Sequence, residues 1–145
     1  MGTKAEMARH IRESGFNCAQ AVLCAFCEDY DLDTETALKM ASSLGSGCHH
    51  GGQCGASLGA ALVIGLKTGK YIEGDDGAKL NNRAAVREFL AKFEAANSSL
   101  LCRDILGCDI FTEEGQVTAT AGDLFEKICG PLIVETAQLL EEAGY

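Results

Sequence analysis

Cysteine is the residue type through which this sequence could do chemistry, with eight of them spread along 145 residues. The densest stretch of reactive groups is residues 48–69, CHHGGQCGASLGAALVIGLKTG, where a glycine-rich turn delivers Cys54 to the start of an apolar, small-residue segment. Gly51 and Gly52 allow backbone conformations closed to other residues, and a helix beginning near Cys54 aims its unpaired N–H groups at the sulfur. Oriented donors of this kind favour thiolate over thiol, and thiolate is the form that attacks disulfides and binds metals. The same setting recurs three times. Cys18 falls in the first turn of a helix capped by Asn17, Cys102 in the first turn of a short helix capped by Asn97, Ser98 or Ser99, and Cys129 just before a helix opening at Pro131. A single cysteine in such a place is commonly a small buried hydrophobe. Four at four helix starts point instead to ligands for a soft metal or to partners in thiol redox chemistry, with Cys54 the expected most reactive thiol.

Other groups could extend the set. Cys48, His49 and His50 lie within a few residues of Cys54 and form a local group of soft and borderline ligands, and either histidine could serve Cys54 as a nearby cation or base. Adjacent histidines usually point apart, so a solvated loop is the competing reading. Cys108, directly after the short helix that holds Cys102, could enlarge a metal site or simply pack. Cys24-x-x-Cys27 lies inside an apolar helix with no strand before it, which favours packing over a thioredoxin-type pair, and Glu28 rules out a haem-attachment motif. There are no paired CxxC knuckles of a zinc ribbon, no phosphate-loop lysine after Gly45-Ser46-Gly47, no nucleophile elbow and no HExxH.

The elements that must position these sulfurs read as helices. Hydrophobic residues make up 47% and charged residues 23%, with one proline and no tryptophan, and runs of alternating β-branched residues are missing. Residues 1–145 fit one helical domain, large enough to hold a core without metal or disulfide, so the cysteines need another explanation. From about Lys4 to Glu13 an amphipathic helix places Met7 and Ile11 on its packing face. Asn17 and Gln20 form a capping-box pattern ahead of CAQAVLCAFC, apolar on all sides as a buried helix should be. Asp33 caps a third helix to about Ser43, with Ala37, Leu38 and Ala41 inward. The uncharged run from Cys54 predicts a central buried helix over about 54–68, too short before Lys67 to span a membrane. Residues 69–82 read as an exposed loop, Val86, Phe89, Leu90 and Phe93 as a helix face, 109–121 as turn-rich, and 123–128 and 132–142 as helical segments joined at Cys129, Gly130 and Pro131. The expected architecture is all-α: a compact bundle of about six to eight helices around the 54–68 helix.

With 12 basic against 21 acidic residues the formal charge is −9, which disfavours binding to nucleic-acid phosphates or an anionic membrane surface. The N-terminus lacks the apolar core of a secretory signal, and Glu6 stands where a myristoylation signal wants Ser or Thr. A cytoplasmic location is therefore expected, where thiols are mostly reduced and eight cysteines need not mean four disulfides. The thin, alanine-rich central helix could also serve as a homodimer seam.

Asn17-Cys18-Ala19-Gln20-Ala21-Val22, the run Cys54-Gly55-Ala56-Ser57-Leu58-Gly59, the segment Cys102-Arg103-Asp104-Ile105-Leu106-Gly107, and Cys129 before the last helix together resemble the C_GCAxxG_C_C family. Its members are small bacterial and archaeal proteins regarded as redox-active, and the resemblance runs from about residue 5 to 142. It implies Cys18, Cys54, Cys102 and Cys129 as the site and a link to transport or electron transfer. Cys24, Cys27 and Cys48 depart from the four-cysteine minimum, and Cys108 is a position where members vary. The leading expectation is a cytosolic thiol oxidoreductase or electron-transfer protein, working with a redox partner protein. In it the four sulfurs exchange dithiol and disulfide states or hold an iron–sulfur cluster or other metal centre. The alternatives are a non-enzymatic module binding zinc or another soft metal, and a structural interaction domain.

Overall fold

A computed structural model describes residues 3–145, which form eight α-helices with no strand beyond one isolated bridge. Helix α1 (Lys4–Glu13) opens on a capping box in which Thr3 and Glu6 exchange side-chain and backbone hydrogen bonds. Helix α2 (Cys18–Phe26) opens on a second. The Gln20 N–H donates to the Asn17 side chain and the Asn17 N–H to the Gln20 side chain, both at 2.9 Å, as the Asn-x-x-Gln spacing predicts. Apolar on every side, α2 buries all residues from Ala19 to Phe26. It packs against α1, α3 (Thr34–Ser42) and α4 (Gly55–Thr68), which is the predicted central small-residue helix.

The approach of α2 to α4 is close because α4 presents glycine there. A Cβ on Gly59 would lie 2.8 Å from the Ala19 carbonyl oxygen and 3.2 Å from the Ala19 Cα. Gly55, one turn earlier and on the same face, is crowded by the sulfur of Cys18. The spacing of the CGAxxG run is thus the spacing of one helix face. Gly65 meets nothing within 4 Å and takes no part in that seam.

Three expectations are corrected. Helix α5 (Asp76–Asn97) begins inside the stretch read as loop, because the Asp75 side chain accepts from the Ala78 N–H and starts it early. Between α6 (Cys102–Leu106) and α8 (Gly130–Glu142) the region read as turn-rich contains α7 (Glu113–Ala121), capped by Thr112 accepting from the Gly115 N–H. It buries only Gly115 and Ala119, so no apolar stripe announces it. In α1 the buried residues are Ala5 and Ala8, while Met7 is 39% exposed, because small side chains let α1 lie close over α2 and α8.

The buried residues gather in two clusters. The main one draws on α1 to α5 and α8, with Phe26, Phe93, Leu23, Ile64, Ile133 and Leu140 fully enclosed. The smaller one holds Cys102, Leu106, Ile110 and Ala119, with Cys108, Leu124, Phe125, Ile128 and Cys129 packed around it. Among the described residues no helix is long and apolar enough to cross a membrane.

Candidate functional site

Each of the four predicted cysteines reaches the site by a local device. Cys18 is the first residue of α2, held by the Asn17 cap, whose Nδ2 also donates to the Ser42 carbonyl at the end of α3 at 3.0 Å. Cys54 is the residue immediately before α4. A single antiparallel bridge, Gln53 opposite Leu101, ties its segment to the start of α6: the Cys54 N–H donates to the Leu100 carbonyl and the Cys102 N–H to the Gly52 carbonyl, both at 2.7 Å. Residues flanking a bridged pair point to the opposite side from it, so Cys54 and Cys102 share one face. Ser57, fully buried, donates to the Cys54 carbonyl at 2.7 Å and accepts from Gln53 Nε2 at 3.0 Å, which fixes the bridge against α4.

Cys129 arrives differently. It ends a π-turn over Phe125–Cys129 that runs straight into α8, and the Gly130 N–H is already donated to the Phe125 carbonyl. The two segments expected to be separate are continuous, so Cys129 meets no free helix end.

All four sulfurs line one cavity of about 230 Å³, walled by Phe16, Ile105, Leu106, Phe125 and Leu132. It lies where the two buried clusters meet. Cys54 and Cys102 are buried and Cys18 and Cys129 half-buried, and all are unbridged. Arg12 of α1 also lines it, with Nη2 3.4 Å from Glu126 Oε1.

The protonation of these thiols runs against the sequence expectation. Burial pushes Cys54 up to about 12, and the neighbouring Cys18 sulfur adds to the rise. The Ala56 and Ser57 N–H groups pull the other way but close no capping hydrogen bond to it. Burial likewise pushes Cys102 up to about 12, with Cys54, Cys18 and then Cys108 adding to it. Cys129 also rises to about 12, through burial and then Cys18 and Cys102, opposed by Arg12. Cys18 is raised by burial too, but more groups oppose the rise there: the N–H groups of Ser46, Ala19 and Cys18 itself, and the Arg12 cation. Helix-start donors are present at Cys18 and Cys54, yet loss of water outweighs them and the thiol is the resting form.

The remaining candidates divide. Cys108 packs beside Cys102 in the smaller cluster. Cys48, His49 and His50 line no part of the cavity: Cys48 is exposed, the His50 ring lies 4.0 Å from that of Phe111, and His49 Nε2 sits 3.0 Å from the Ser42 carbonyl. Their turn is left-handed at Ser46, Gly47, Cys48 and His49, with φ of 52°, 63°, 57° and 56°, a costly run for non-glycine residues. It carries the Ser46 backbone to Cys18. Cys24 and Cys27 belong to the main core, where the Cys27 thiol donates to the Cys24 carbonyl at 3.7 Å. Sequence reasoning missed Arg12 and Ser46, because a side chain on a surface helix and a backbone N–H carry no local mark of the sulfur they face.

Four thiols are the right donors for an iron–sulfur cluster or zinc. Among the described residues, however, no three His, Cys, Asp or Glu side chains are placed to hold one metal ion. The sulfurs stand as a group of neighbouring thiols rather than as a closed ligand sphere.

The chain matches no curated protein and no solved structure. Over residues 16–143 it matches a family whose description reads "Putative redox-active protein (C_GCAxxG_C_C)". The span takes in the Asn17 cap, both glycines of the α2–α4 seam and all four cavity cysteines, and the chain belongs to this C_GCAxxG_C_C family.

Proposed function

We propose that the protein is a thiol–disulfide redox protein in which Cys18 and Cys54 are the working pair and Cys102 and Cys129 complete the sulfur cluster around them. The observation that carries this is the convergence of four sulfurs, from four chain segments, on one cavity. Within it the Cys18 sulfur fills the space that a side chain on Gly55, the residue after Cys54, would take.

Cys18, more exposed than Cys54 and lining the cavity together with Arg12, is the attacking sulfur. As thiolate it attacks a partner disulfide R–S–S–R′, forming Cys18–S–S–R and releasing R′–S⁻, which takes up the proton that Cys18 gave up. Cys54 then loses its proton, attacks the Cys18 sulfur and expels R–S⁻, which is protonated in turn. The protein ends as the Cys18–Cys54 disulfide, two electrons poorer, and the partner as two thiols. The reverse sequence oxidises a dithiol partner.

The test is disulfide mapping of reduced full-length protein after limiting diamide, which takes two hydrogens from a pair of thiols. The expected product is a Cys18–Cys54 bridge, lost in Cys18→Ser and in Cys54→Ser. Protein that resists oxidation at all four positions, or that carries stoichiometric iron or zinc when purified anaerobically, would overturn the disulfide reading.

A further inference from the structure

Cys18 takes a disulfide from its partner at the cavity, and handing that disulfide on to a second protein calls for a thiol outside the walls formed by Phe16, Ile105, Leu106, Phe125 and Leu132. The far side of Cys102 offers a route. Helix α6 is only five residues long, and Gly107 closes it in the left-handed conformation, φ 75°, donating its N–H to the Arg103 carbonyl at 3.0 Å. Chain leaving such a cap commonly folds back onto the last helical turn. Here the cap bond closes on Arg103, the residue after Cys102, and Cys108 follows Gly107 directly. Cys102 and Cys108 pack in one cluster with Leu106, Ile110 and Ala119, Cys102 buried and Cys108 half-buried. On its other side Cys102 shares the bridge face with Cys54. One sulfur therefore stands between the cavity and a thiol nearer the surface.

We propose that Cys108 is the outlet of the redox site, passing a disulfide between the cavity and an external dithiol protein by way of Cys102. This rests on the disulfide reading above. Cys102 attacks Cys54 of the Cys18–Cys54 bridge, making Cys54–Cys102 and freeing Cys18 as a thiol. Cys108 then attacks Cys102, making Cys102–Cys108 and freeing Cys54. Each exchange breaks one S–S bond and makes one, and the attacking sulfur's proton goes to the sulfur that leaves. Finally an external protein dithiol, of the thioredoxin type, attacks at Cys108. It reduces the Cys102–Cys108 bridge to two thiols and becomes a disulfide itself, supplying the two electrons that the cavity gave up. Among the sulfurs outside the cavity no other has such a position: Cys48 is exposed but lines no part of the cavity, and Cys24 and Cys27 face the main core.

Full-length protein oxidised with diamide, alkylated and digested with trypsin supplies the test, because cleavage after Arg103 separates Cys102 from Cys108. The expected wild-type map contains a Cys102–Cys108 peptide pair beside the Cys18–Cys54 pair. In Cys108→Ser the bridge should stop at Cys54–Cys102, and reduction by a thioredoxin-type dithiol protein should slow by about tenfold. Absence of the Cys102–Cys108 pair in wild type, with Cys18–Cys54 present, would overturn the relay and leave the cavity reading standing. Absence of every bridge among Cys18, Cys54, Cys102 and Cys129 would overturn both. Because the wild-type map decides on its own, the outcome does not depend on how well Cys108→Ser folds.

Discussion

At Gly55 the place of a side chain is taken by the sulfur of Cys18, so replacement by alanine should do two things at once. It should destabilise the fold by about 1–3 kcal/mol through overpacking, since a new Cβ would also lie 2.9 Å from the Leu44 carbonyl oxygen. It should also displace Cys18 and lower the yield of the Cys18–Cys54 bridge. Gly65→Ala, in the same helix with open space around it, is expected to stabilise by about 0.5–1 kcal/mol. Urea denaturation of the two variants separates crowding from helix propensity, and equal effects would refute the seam. The cysteines themselves were legible as candidates, but a side-chain cap places only Cys18, through Asn17. Asn97 and Ser98 end α5 instead, and α6 starts after Leu101 with no side-chain cap, so the expected cap before Cys102 is corrected. The charge state of the cysteines was not legible. Whether backbone donors or loss of water wins at a sulfur is decided by walls such as Phe125 and Leu132, more than 70 positions from Cys54 along the chain.

Among the elements, α2 depends on its cap for more than helix stability. Asn17 accepts from the Gln20 N–H and donates to the Ser42 carbonyl, so it joins the start of α2 to the end of α3 while holding Cys18 between them. Asn17→Ala should cost about 0.5–2 kcal/mol. Asn17→Asp keeps the acceptor but loses the donor to Ser42, and should fall between wild type and alanine by thermal or urea unfolding. An aspartate variant as unstable as alanine would mean that the tie to α3, not the cap, carries the effect. This helix could be read from sequence because its signal is local and its apolar residues run unbroken. Helix α7 could not. With only Gly115 and Ala119 buried it has no periodic face, and its position is set by the Asp109 backbone crowding Gly115. The Gln53–Leu101 bridge escaped for a similar reason, since one pair of residues 48 apart leaves no alternating pattern.

For the molecule as a whole, four thiols raised from an ordinary 9.0 to about 12, Cys24 in the main core and Cys54, Cys102 and Cys129 at the cavity, make stability depend on alkaline pH. Each folded-state value lies above its unfolded one, so the folded chain holds protons that the unfolded chain has released. Their contribution is fully present below pH 9 and is lost as pH climbs from there toward 12. The urea midpoint should fall over that interval, and more shallowly in a Cys54→Ala, Cys102→Ala double variant; a midpoint flat across it would contradict the burial assigned to these sulfurs. The all-α class and the central helix were legible at this scale, because composition and one long uncharged run carry them. That the four sulfurs meet at the join of two buried clusters was not, since it depends on how α6 packs against the Gly47–Gly51 turn and the Phe125–Cys129 turn that leads into α8. The burial of these sulfurs has a further effect. Peroxide oxidises thiolates and leaves protonated, enclosed thiols largely untouched, so Cys54 and Cys102, buried and held as thiols, should reach sulfinic acid more slowly than the exposed Cys48.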